Sequence, residues 1–328
     1  MINQRNELLA MIRDGESFFV TCHENPDGDA VGAALALALA LRSQGKQAVV
    51  YNVDEMPNYL TWLPGADLLV QEANPADFDT ICILDCGASH RVGPQKAAIM
   101  AQPRLINVDH HITNDGYGHA NVVLPKSSST CEILYDLMVE WGVQITPEIA
   151  TNLYLGIYTD TMMFQNAASC PNAYKVCGEL VAAGADFLRV AKRVYIDSSA
   201  QRLLLLGRVL STLRLDCDGR IAGVHALRRD LEELGLGPDD MEVFVEYPRS
   251  VIGAEVAYLL REEDDKGLVK GSLRASNDVD VSEIAKQLNG GGHKKAAGFR
   301  VEGSLEEIRR RVVLMLTEAL ERERNSAH

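Results

Sequence analysis

The first half of the chain alternates apolar runs of strand length with segments of helical length. Four runs rich in β-branched and other apolar residues lie at residues 17–22, 47–51, 80–84 and 104–108. Helix-like segments lie at residues 30–43, 130–141 and 147–158. Strands that alternate with helices predict an α/β fold with a mostly parallel sheet. Ligands of such sheets bind beyond the carboxyl ends of the strands, so the residues that directly follow each strand are the first candidates for chemistry.

The second half of the chain has a different pattern. Residues 191–210 look helical and are followed by no further strand–helix unit, which predicts a connector. Beyond it, short strands are predicted on both sides of a Cys-Asp-Gly-Arg turn, at residues 214–216 and 221–225, as in a β-hairpin. Further strands are predicted at residues 251–259 and 268–275, and helices at residues 281–288 and 305–321. We therefore expect a domain at residues 1–190, a helical connector at 191–210 and a smaller α+β domain at 211–328.

Charge and composition exclude several classes of partner. The chain has 328 residues, with 46 acidic and 32 basic side chains and a formal net charge of −14. Binding along duplex nucleic acid relies on a basic surface, so a long duplex is not an expected partner. The longest uncharged apolar stretch, residues 30–41, is too short to span a bilayer, and the N-terminus lacks a signal-peptide pattern. The prediction is a cytoplasmic protein with no membrane partner and a small substrate.

Acidic and histidine side chains cluster after the predicted strands of the first half. An isolated aspartate at a strand end is usually a turn or capping residue, but a turn does not require two aspartates and a histidine in one loop. Adjacent histidines after a buried strand likewise have no evident packing purpose. This mixture of imidazole and carboxylate suits manganese or another divalent ion of similar hardness. The candidate residues are His23, Asp27, Asp29, Asp85, Asp109, His110, His111 and Asp160.

A glycine-rich stretch near the end of the chain is the second candidate site. Gly290, Gly291 and Gly292 precede His293, and three glycines can bring backbone N–H groups against a phosphate. His293 and Arg274 could pair with the phosphate charge. The alternative interpretation of the three glycines is a flexible hinge.

Six motifs carry a resemblance to a known family. In order they are "HENPDGDAVG", "ILDCG", "VDHHITN", "GIYTDT", "GSLRASN" and "GGGHKKAAGF", and they cover nearly the whole chain. The chain resembles the DHH phosphoesterase family and, within it, the nanoRNase and pAp-phosphatase branch (pAp is 3′-phosphoadenosine 5′-phosphate). Two positions depart from the family pattern. Met162 stands where the family commonly has glycine, and Ala275 precedes Ser276 where a serine often follows the arginine directly.

The resemblance implies a role for each candidate residue. One divalent cation would be bound by His23 and Asp27 and a second by Asp29, with Asp85 bridging them and with His110 and Asp160 completing the coordination shells. His111 would face the scissile phosphate, and Asp109 would orient the adjacent imidazole. Substrate contacts would come from Arg274, Ser276, Gly290, Gly291, Gly292 and His293. Mn²⁺ is the expected ion, with Mg²⁺ and Co²⁺ as alternatives.

The implied activity is hydrolysis of phosphate esters. The expected substrates are very short RNA, linear dinucleotides and pAp, from which the 3′-phosphate would be removed. Two alternatives stay open. One is an enzyme for cyclic dinucleotides or inorganic pyrophosphate, and the other is a nucleotide sensor without catalysis. The oligomeric state is also open, with a homodimer among the choices.

Overall fold

The computed structural model describes residues 1–165, 170–241, 243–264 and 267–326. It divides into two compact units, Met1–Asp197 and Ser198–His328. The division falls inside residues 191–210, the segment for which the sequence predicts a connector. In the described residues no helix is both long and apolar enough to cross a membrane.

The first unit is built on a seven-stranded sheet. Its strands, in the spatial order β1-β7-β6-β5-β2-β3-β4, pair in parallel except for β1, which is antiparallel to β7. The strand bounds are β1 Ile2–Asn3, β2 Ser17–Thr21, β3 Gln47–Tyr51, β4 Leu69–Val70, β5 Thr80–Leu84, β6 Leu105–Asp109 and β7 Ala120–Val123. The predicted parallel sheet is therefore confirmed, with β1, β4 and β7 as short strands that the sequence analysis did not identify.

Among its described residues the first unit has seven α-helices. They are α1 Arg5–Asp14, α2 Gly28–Ser43, α3 Lys96–Met100, α4 Thr130–Trp141, α5 Pro147–Asp160, α6 Pro171–Ala182 and α7 Phe187–Ala191. Nearly every residue of α2 is buried, because this helix packs between the sheet and α5. Gly156 makes that packing possible. A Cβ atom at this position would lie 2.2 Å from Cys131 Sγ and 2.6 Å from Asp29 Oδ1.

Both faces of this sheet are covered by apolar side chains. Along β2, Phe18 and Val20 join the larger core beneath α2 and α5, while Phe19 points to a smaller core on the opposite face. β5 alternates in the same way, with Leu84 on one face and Ile83 on the other. Strands buried on both faces explain the near-continuous apolar runs in the sequence. The charged side chains of the candidate site lie at or beyond the ends of these strands.

The second unit contains a six-stranded sheet in the order β12-β13-β11-β10-β9-β8. β9 and β10 are parallel and all other neighbours are antiparallel. The strands are β8 Arg214–Asp216, β9 Ile221–Ala226, β10 Val256–Glu262, β11 Leu268–Ala275, β12 Gly291–His293 and β13 Ala296–Glu302. The helices are α8 Ala200–Leu210, α9 Arg228–Leu234, α10 Glu246–Arg249, α11 Val281–Gln287 and α12 Leu305–Ser326. The predicted α+β architecture and the hairpin of β8 and β9 are confirmed.

Two predictions for the second unit need correction. The strand expected at residues 251–259 begins only at Val256, because residues 251–253 form a turn in which Ile252 is fully exposed. The glycine-rich stretch, for which the sequence analysis predicted no strand, contains the short strand β12, and β13 begins three residues after β12 ends. Glycine weakens strand propensity, so the sequence pattern gave no sign of this pairing.

Candidate metal centre

Three neighbouring strands and two helices bring the predicted ligands of the first unit together. His23 follows β2, Asp85 follows β5, and His110 follows β6, and these three strands are adjacent in the sheet. Asp27 and Asp29 lie at the start of α2, and Asp160 is the last residue of α5. Because the carboxyl ends of parallel strands meet at one edge, residues distant in sequence become neighbours.

One group of ligands consists of His23, Asp27 and Asp85. His23 Nε2 lies 3.8 Å from Asp27 Oδ2 and 3.7 Å from Asp85 Oδ2. His23 Nδ1 faces away from these carboxylates and lies 2.8 Å from the carbonyl oxygen of Glu24 and 3.2 Å from Arg91 Nη2. Nε2 is therefore the nitrogen that can bind a metal. Asp27 Oδ1 caps α2 by accepting from the N–H groups of Asp29 and Ala30, at 3.1 Å each, which leaves Oδ2 to face His23.

A second group consists of Asp29, His110 and Asp160, whose ligand atoms lie within 4.8 Å of one another. His110 Nε2 lies 3.5 Å from Asp160 Oδ2 and 3.6 Å from Asp85 Oδ1. Asp85 thus directs Oδ2 toward the first group and Oδ1 toward the second. This is the arrangement expected of a carboxylate that bridges two ions.

The electrostatics of this cluster favour cations. Asp29 and Asp85 are 1% and 2% exposed. Loss of solvation raises the pKa of Asp85, and the nearby carboxylates of Asp29 and Asp27 raise it further. Loss of solvation also raises the pKa of Asp29 and Asp160. In the described part of the chain, no Lys or Arg side chain lies within ion-pair distance of Asp29 or Asp85. Buried carboxylates without a compensating charge are costly, so this donor set fits two divalent cations.

Asp109 binds His111 rather than joining either group of ligands. Asp109 Oδ1 accepts from His111 Nδ1 at 2.7 Å and from the backbone N–H groups of His110 and His111 at 2.8 and 3.1 Å. Asn114 Nδ2 donates to Asp109 Oδ2 at 2.6 Å. Burial acts to raise the pKa of Asp109, but the hydrogen bonds from His111 and Asn114 outweigh it and the pKa is lowered. The hydrogen bond to Asp109 raises the pKa of His111 in turn. The contact with Asp109 therefore favours the protonated form of His111.

The first turn of α4 also contacts the cluster, and the sequence analysis did not name it. The N–H groups of Thr130 and Cys131 donate to Asp29 Oδ2 and Oδ1 at 2.7 and 3.0 Å. Thr130 Oγ1 lies 3.0 Å from Asp85 Oδ1. The one signal in the sequence is the Ser-Ser-Ser-Thr run before a helix, and capping alone accounts for such a run. Asn114, which contacts Asp109, was missed for a similar reason, since asparagine is common in turns.

The substrate-binding candidates of the second unit lie on its sheet. Arg274 on β11 and His293 on β12 both pair in register with Ala296 on β13. Residues aligned across neighbouring strands point to the same face, so these two side chains lie on one face, two strands or about 10 Å apart. Arg274 Nε donates to Glu246 Oε1 at 2.9 Å. The N–H of Ser276 donates to the carbonyl of Glu255 at 2.8 Å.

The three glycines of this unit differ in what surrounds them. A Cβ at Gly290 would lie 2.1 Å from the Gly298 carbonyl oxygen, and one at Gly292 would lie 2.6 Å from that of Ala296. The close approach of the backbone to β13 therefore explains why both positions are glycine. A Cβ at Gly291 would meet nothing within 4 Å, and Gly291 is exposed. Packing thus accounts for two of the three glycines.

Comparison with known proteins places the chain. Residues 17–157 match the DHH family, N-terminal domain, and residues 223–318 match the DHHA1 domain. A relative from Thermus thermophilus, named bifunctional oligoribonuclease and PAP phosphatase NrnA, is 33% identical over 308 residues, covering 93% of this chain and 90% of the relative. The chain belongs to the DHH family.

Two further similarities extend over nearly the whole chain. A Bacillus subtilis relative of the same name is 25% identical over 300 residues, covering 90% of this chain and 93% of the relative. The crystal structure of an exopolyphosphatase-related protein from Bacteroides fragilis superposes with a TM-score of 0.89 at 29% identity, covering 97% of this chain and 96% of that one. The family resemblance carried by the six motifs and the predicted fold class are both confirmed.

Proposed function

We propose that this DHH-family chain is a two-metal phosphohydrolase that degrades very short oligoribonucleotides and linear dinucleotides and removes the 3′-phosphate from pAp. The observation that carries the proposal is the division of the Asp85 carboxylate between two groups of ligands, with Oδ2 3.7 Å from His23 Nε2 and Oδ1 3.6 Å from His110 Nε2. The substrate classes rest on the relatives named oligoribonuclease and PAP phosphatase. Mn²⁺ is the proposed ion, with Mg²⁺ and Co²⁺ as alternatives, because imidazole and carboxylate donors are mixed.

Two divalent cations bound by these ligands would polarise a phosphoryl oxygen and lower the pKa of a bound water toward neutrality. The side chains around them divide the remaining work. His111 holds its Nδ1 proton against Asp109, at 2.7 Å, so its other nitrogen can donate to a phosphoryl oxygen when the ring is protonated. Asn114 holds the opposite oxygen of Asp109 and keeps this carboxylate from turning toward the cations.

The second unit supports a separate contact with the substrate. Arg274 and His293 present two donors on one sheet face about 10 Å apart, a spacing that suits two parts of one nucleotide better than a single phosphate. Gly291, an exposed residue, lies on the same edge strand as His293. We assign Arg274, Ser276, Gly290, Gly291, Gly292 and His293 to nucleotide binding on this basis.

The partners and location follow from the same proposal. The formal net charge of −14 disfavours binding along a long duplex, and the proposed substrates are short single strands or mononucleotides. The proposed location is the cytoplasm. A homodimer stays an open alternative.

A panel of substrates tests the proposal. The protein and Mn²⁺ are incubated with pAp, linear and cyclic dinucleotides, pyrophosphate and RNA from two to about ten nucleotides, and the products are separated. We expect hydrolysis of pAp and dinucleotides, with kcat/KM lower by about one to two orders of magnitude for the decamer, equivalent to roughly 1.4 kcal/mol per tenfold step. Preferential hydrolysis of cyclic dinucleotides or pyrophosphate, or equally fast and processive degradation of the decamer, would contradict it.

A pair of arginine variants tests the substrate contacts. Arg274→Ala should weaken binding of pAp by about 1.5–3 kcal/mol, since a charge-assisted contact is lost. Its metal content should stay unchanged. Arg300→Ala is the matched control, because Arg300 also lies on this sheet and pairs with a glutamate, Glu263, at 2.7 Å. Equal effects of the two substitutions, or loss of metal in Arg274→Ala, would refute the assignment.

A further inference from the structure

We propose that Thr130 is a positioning residue of the metal centre, whose hydroxyl fixes the orientation in which Asp85 can bridge two ions. The inference rests on the two-metal centre proposed above. Thr130 contributes no ligand of its own. It contacts two ligands that come from separate elements of the first unit, Asp85 after β5 and Asp29 on α2.

The contacts of Thr130 are made with atoms that have few other donors. Thr130 has no exposed surface, and its Oγ1 lies 3.0 Å from Asp85 Oδ1. An ionised carboxylate can only accept, so the threonine hydroxyl donates. The backbone N–H of the same residue donates to Asp29 Oδ2 at 2.7 Å. One residue therefore supports a ligand of the second group and the oxygen of the bridging ligand that faces that group.

The bridging carboxylate needs such support. Asp85 directly follows β5 and has a backbone φ of +50°, in the left-handed region. Rotation about the last bond of an aspartate side chain is only weakly restricted. A rotated carboxylate would present both oxygens to one ion. The hydrogen bond from Thr130 holds Oδ1 on the side of His110 and so leaves Oδ2 for the side of His23.

Thr130 is itself held firmly. Ser129 caps α4 by accepting from the N–H of Glu132 at 3.1 Å, and the Glu132 carboxylate accepts in return from the N–H of Ser128 at 3.0 Å. This reciprocal pairing fixes the first turn of the helix. Cys131 is fully buried beside Gly156. The hydroxyl of Thr130 is thus presented from a rigid frame rather than from a mobile loop.

Three variants separate positioning from packing. Thr130→Val keeps the shape of the side chain and removes the hydroxyl, whereas Thr130→Ser keeps the hydroxyl and removes a methyl group. Thr151→Val is the matched control, because Thr151 is a buried threonine of α5 whose hydroxyl donates to the carbonyl of Pro147, at 2.7 Å. Thr130→Ala replaces the valine variant if that variant does not fold, as judged by circular dichroism without metal.

Mn²⁺ titration followed by electron paramagnetic resonance is the measurement, with turnover of pAp recorded in parallel. The wild-type protein and the Thr130→Ser and Thr151→Val variants should bind two ions whose signal at saturation is exchange-coupled. Thr130→Val should bind one ion with nearly normal affinity and the second about tenfold to a hundredfold more weakly. Its kcat should fall at the Mn²⁺ concentration that saturates the wild type and recover in part when more Mn²⁺ is added, with KM for pAp unchanged.

The outcomes distinguish this inference from the proposed function. If the wild type binds two coupled ions and Thr130→Val does the same with equal affinity, the positioning role is wrong and the two-metal centre stands. A loss shared by Thr130→Ser, or equal weakening of both ions, would also overturn the role of the hydroxyl. If the wild-type protein itself binds no coupled pair, the two-metal centre fails and this inference fails with it.

Discussion

The two ends of strand β5 carry the same residue type in opposite surroundings. Asp79 directly precedes the strand and Asp85 directly follows it, with Thr80–Leu84 between them. At the amino end, Asp79 Oδ2 accepts from the N–H groups of Glu16 and Ser17 at 2.9 and 3.0 Å, and Oδ1 accepts from Thr80 Oγ1 at 2.7 Å. Partial burial acts to raise the pKa of Asp79, but these hydrogen bonds outweigh it and the pKa is lowered.

At the carboxyl end the balance is reversed. Asp85 is buried among other carboxylates, and both burial and their charge raise its pKa. An aspartate that is stabilised in its ionised form strengthens the fold, and one that is destabilised in that form weakens the metal-free fold. The comparison indicates that Asp79, at the amino end of the strand, stabilises the fold. Asp85, at the carboxyl end, has an unfavourable charge in the metal-free protein, and this charge favours metal binding.

The largest expected effect is on catalysis at the carboxyl end. Asp85→Asn should lower kcat by at least about a thousandfold, roughly 4 kcal/mol in the barrier, because one substitution damages both metal sites. The metal-free protein should be no less stable, since a buried charge is removed. Asp79→Asn is the matched control and should keep its kcat. Turnover by Asp85→Asn near the wild-type rate at saturating Mn²⁺ would break the comparison.

The next effect concerns metal removal. When the free concentration of an ion is about a hundred times its dissociation constant, binding of that ion should stabilise the folded protein by about 2.7 kcal/mol. Chelation should therefore lower the melting temperature of the wild type reversibly, and the shift should be much smaller in Asp85→Asn. If the melting temperature changes with neither Mn²⁺ nor chelator, the carboxylates at the carboxyl end of the sheet do not bind cations.

A smaller effect is expected on stability at the amino end. Asp79→Ala removes the acceptor of three hydrogen bonds, and because the side chain is largely exposed we expect a loss of about 1 kcal/mol in the free energy of unfolding. The kcat of the folded enzyme should not change. Glu72→Ala, which removes an exposed carboxylate without a hydrogen-bond partner among the described residues, should cost less. Urea unfolding at neutral pH measures the difference.

The smallest expected effect is the pH dependence of the difference in unfolding free energy between the wild type and Asp79→Ala. The folded pKa of Asp79 is lowered from its ordinary value of 3.8, so its contribution is fully present well above that value and is lost as the pH falls through it toward the lower folded pKa. The gap in unfolding free energy between wild type and Asp79→Ala should be constant from pH 7 to about 5 and shrink below about 4. A gap that widens on acidification would show that the carboxylate is not stabilised by these contacts.

Sequence patterns predicted the four central strands of the first unit and helices α2, α4 and α5, but only part of its site. The apolar strands and the aspartates and histidines after them are local features, so β3 and β5 and the ligand-bearing loops could be located from the chain alone. Thr130 and Asn114 could not, because their roles depend on hydrogen bonds to Asp85 and Asp109 that exist only after folding. A hydroxyl or amide in a turn has a local explanation that hides a distant contact.

The second unit was harder to predict for another reason. The edge strand β12 consists of two glycines and a histidine, a composition with little strand propensity. It is a strand because it pairs with β13. The register that aligns Arg274 with His293 depends on the same pairing. Tertiary context determined both features.

The most direct test of the account is anomalous X-ray diffraction at the manganese absorption edge, on crystals of the full chain grown with Mn²⁺. We expect two peaks about 3.5–4 Å apart, the separation found in two-metal sites, with one oxygen of Asp85 bound to each ion. His23 and Asp27 should complete one site, and Asp29, His110 and Asp160 the other. A single peak, or two peaks with Asp85 bound to only one of them, would contradict the bridged centre on which the proposed function depends.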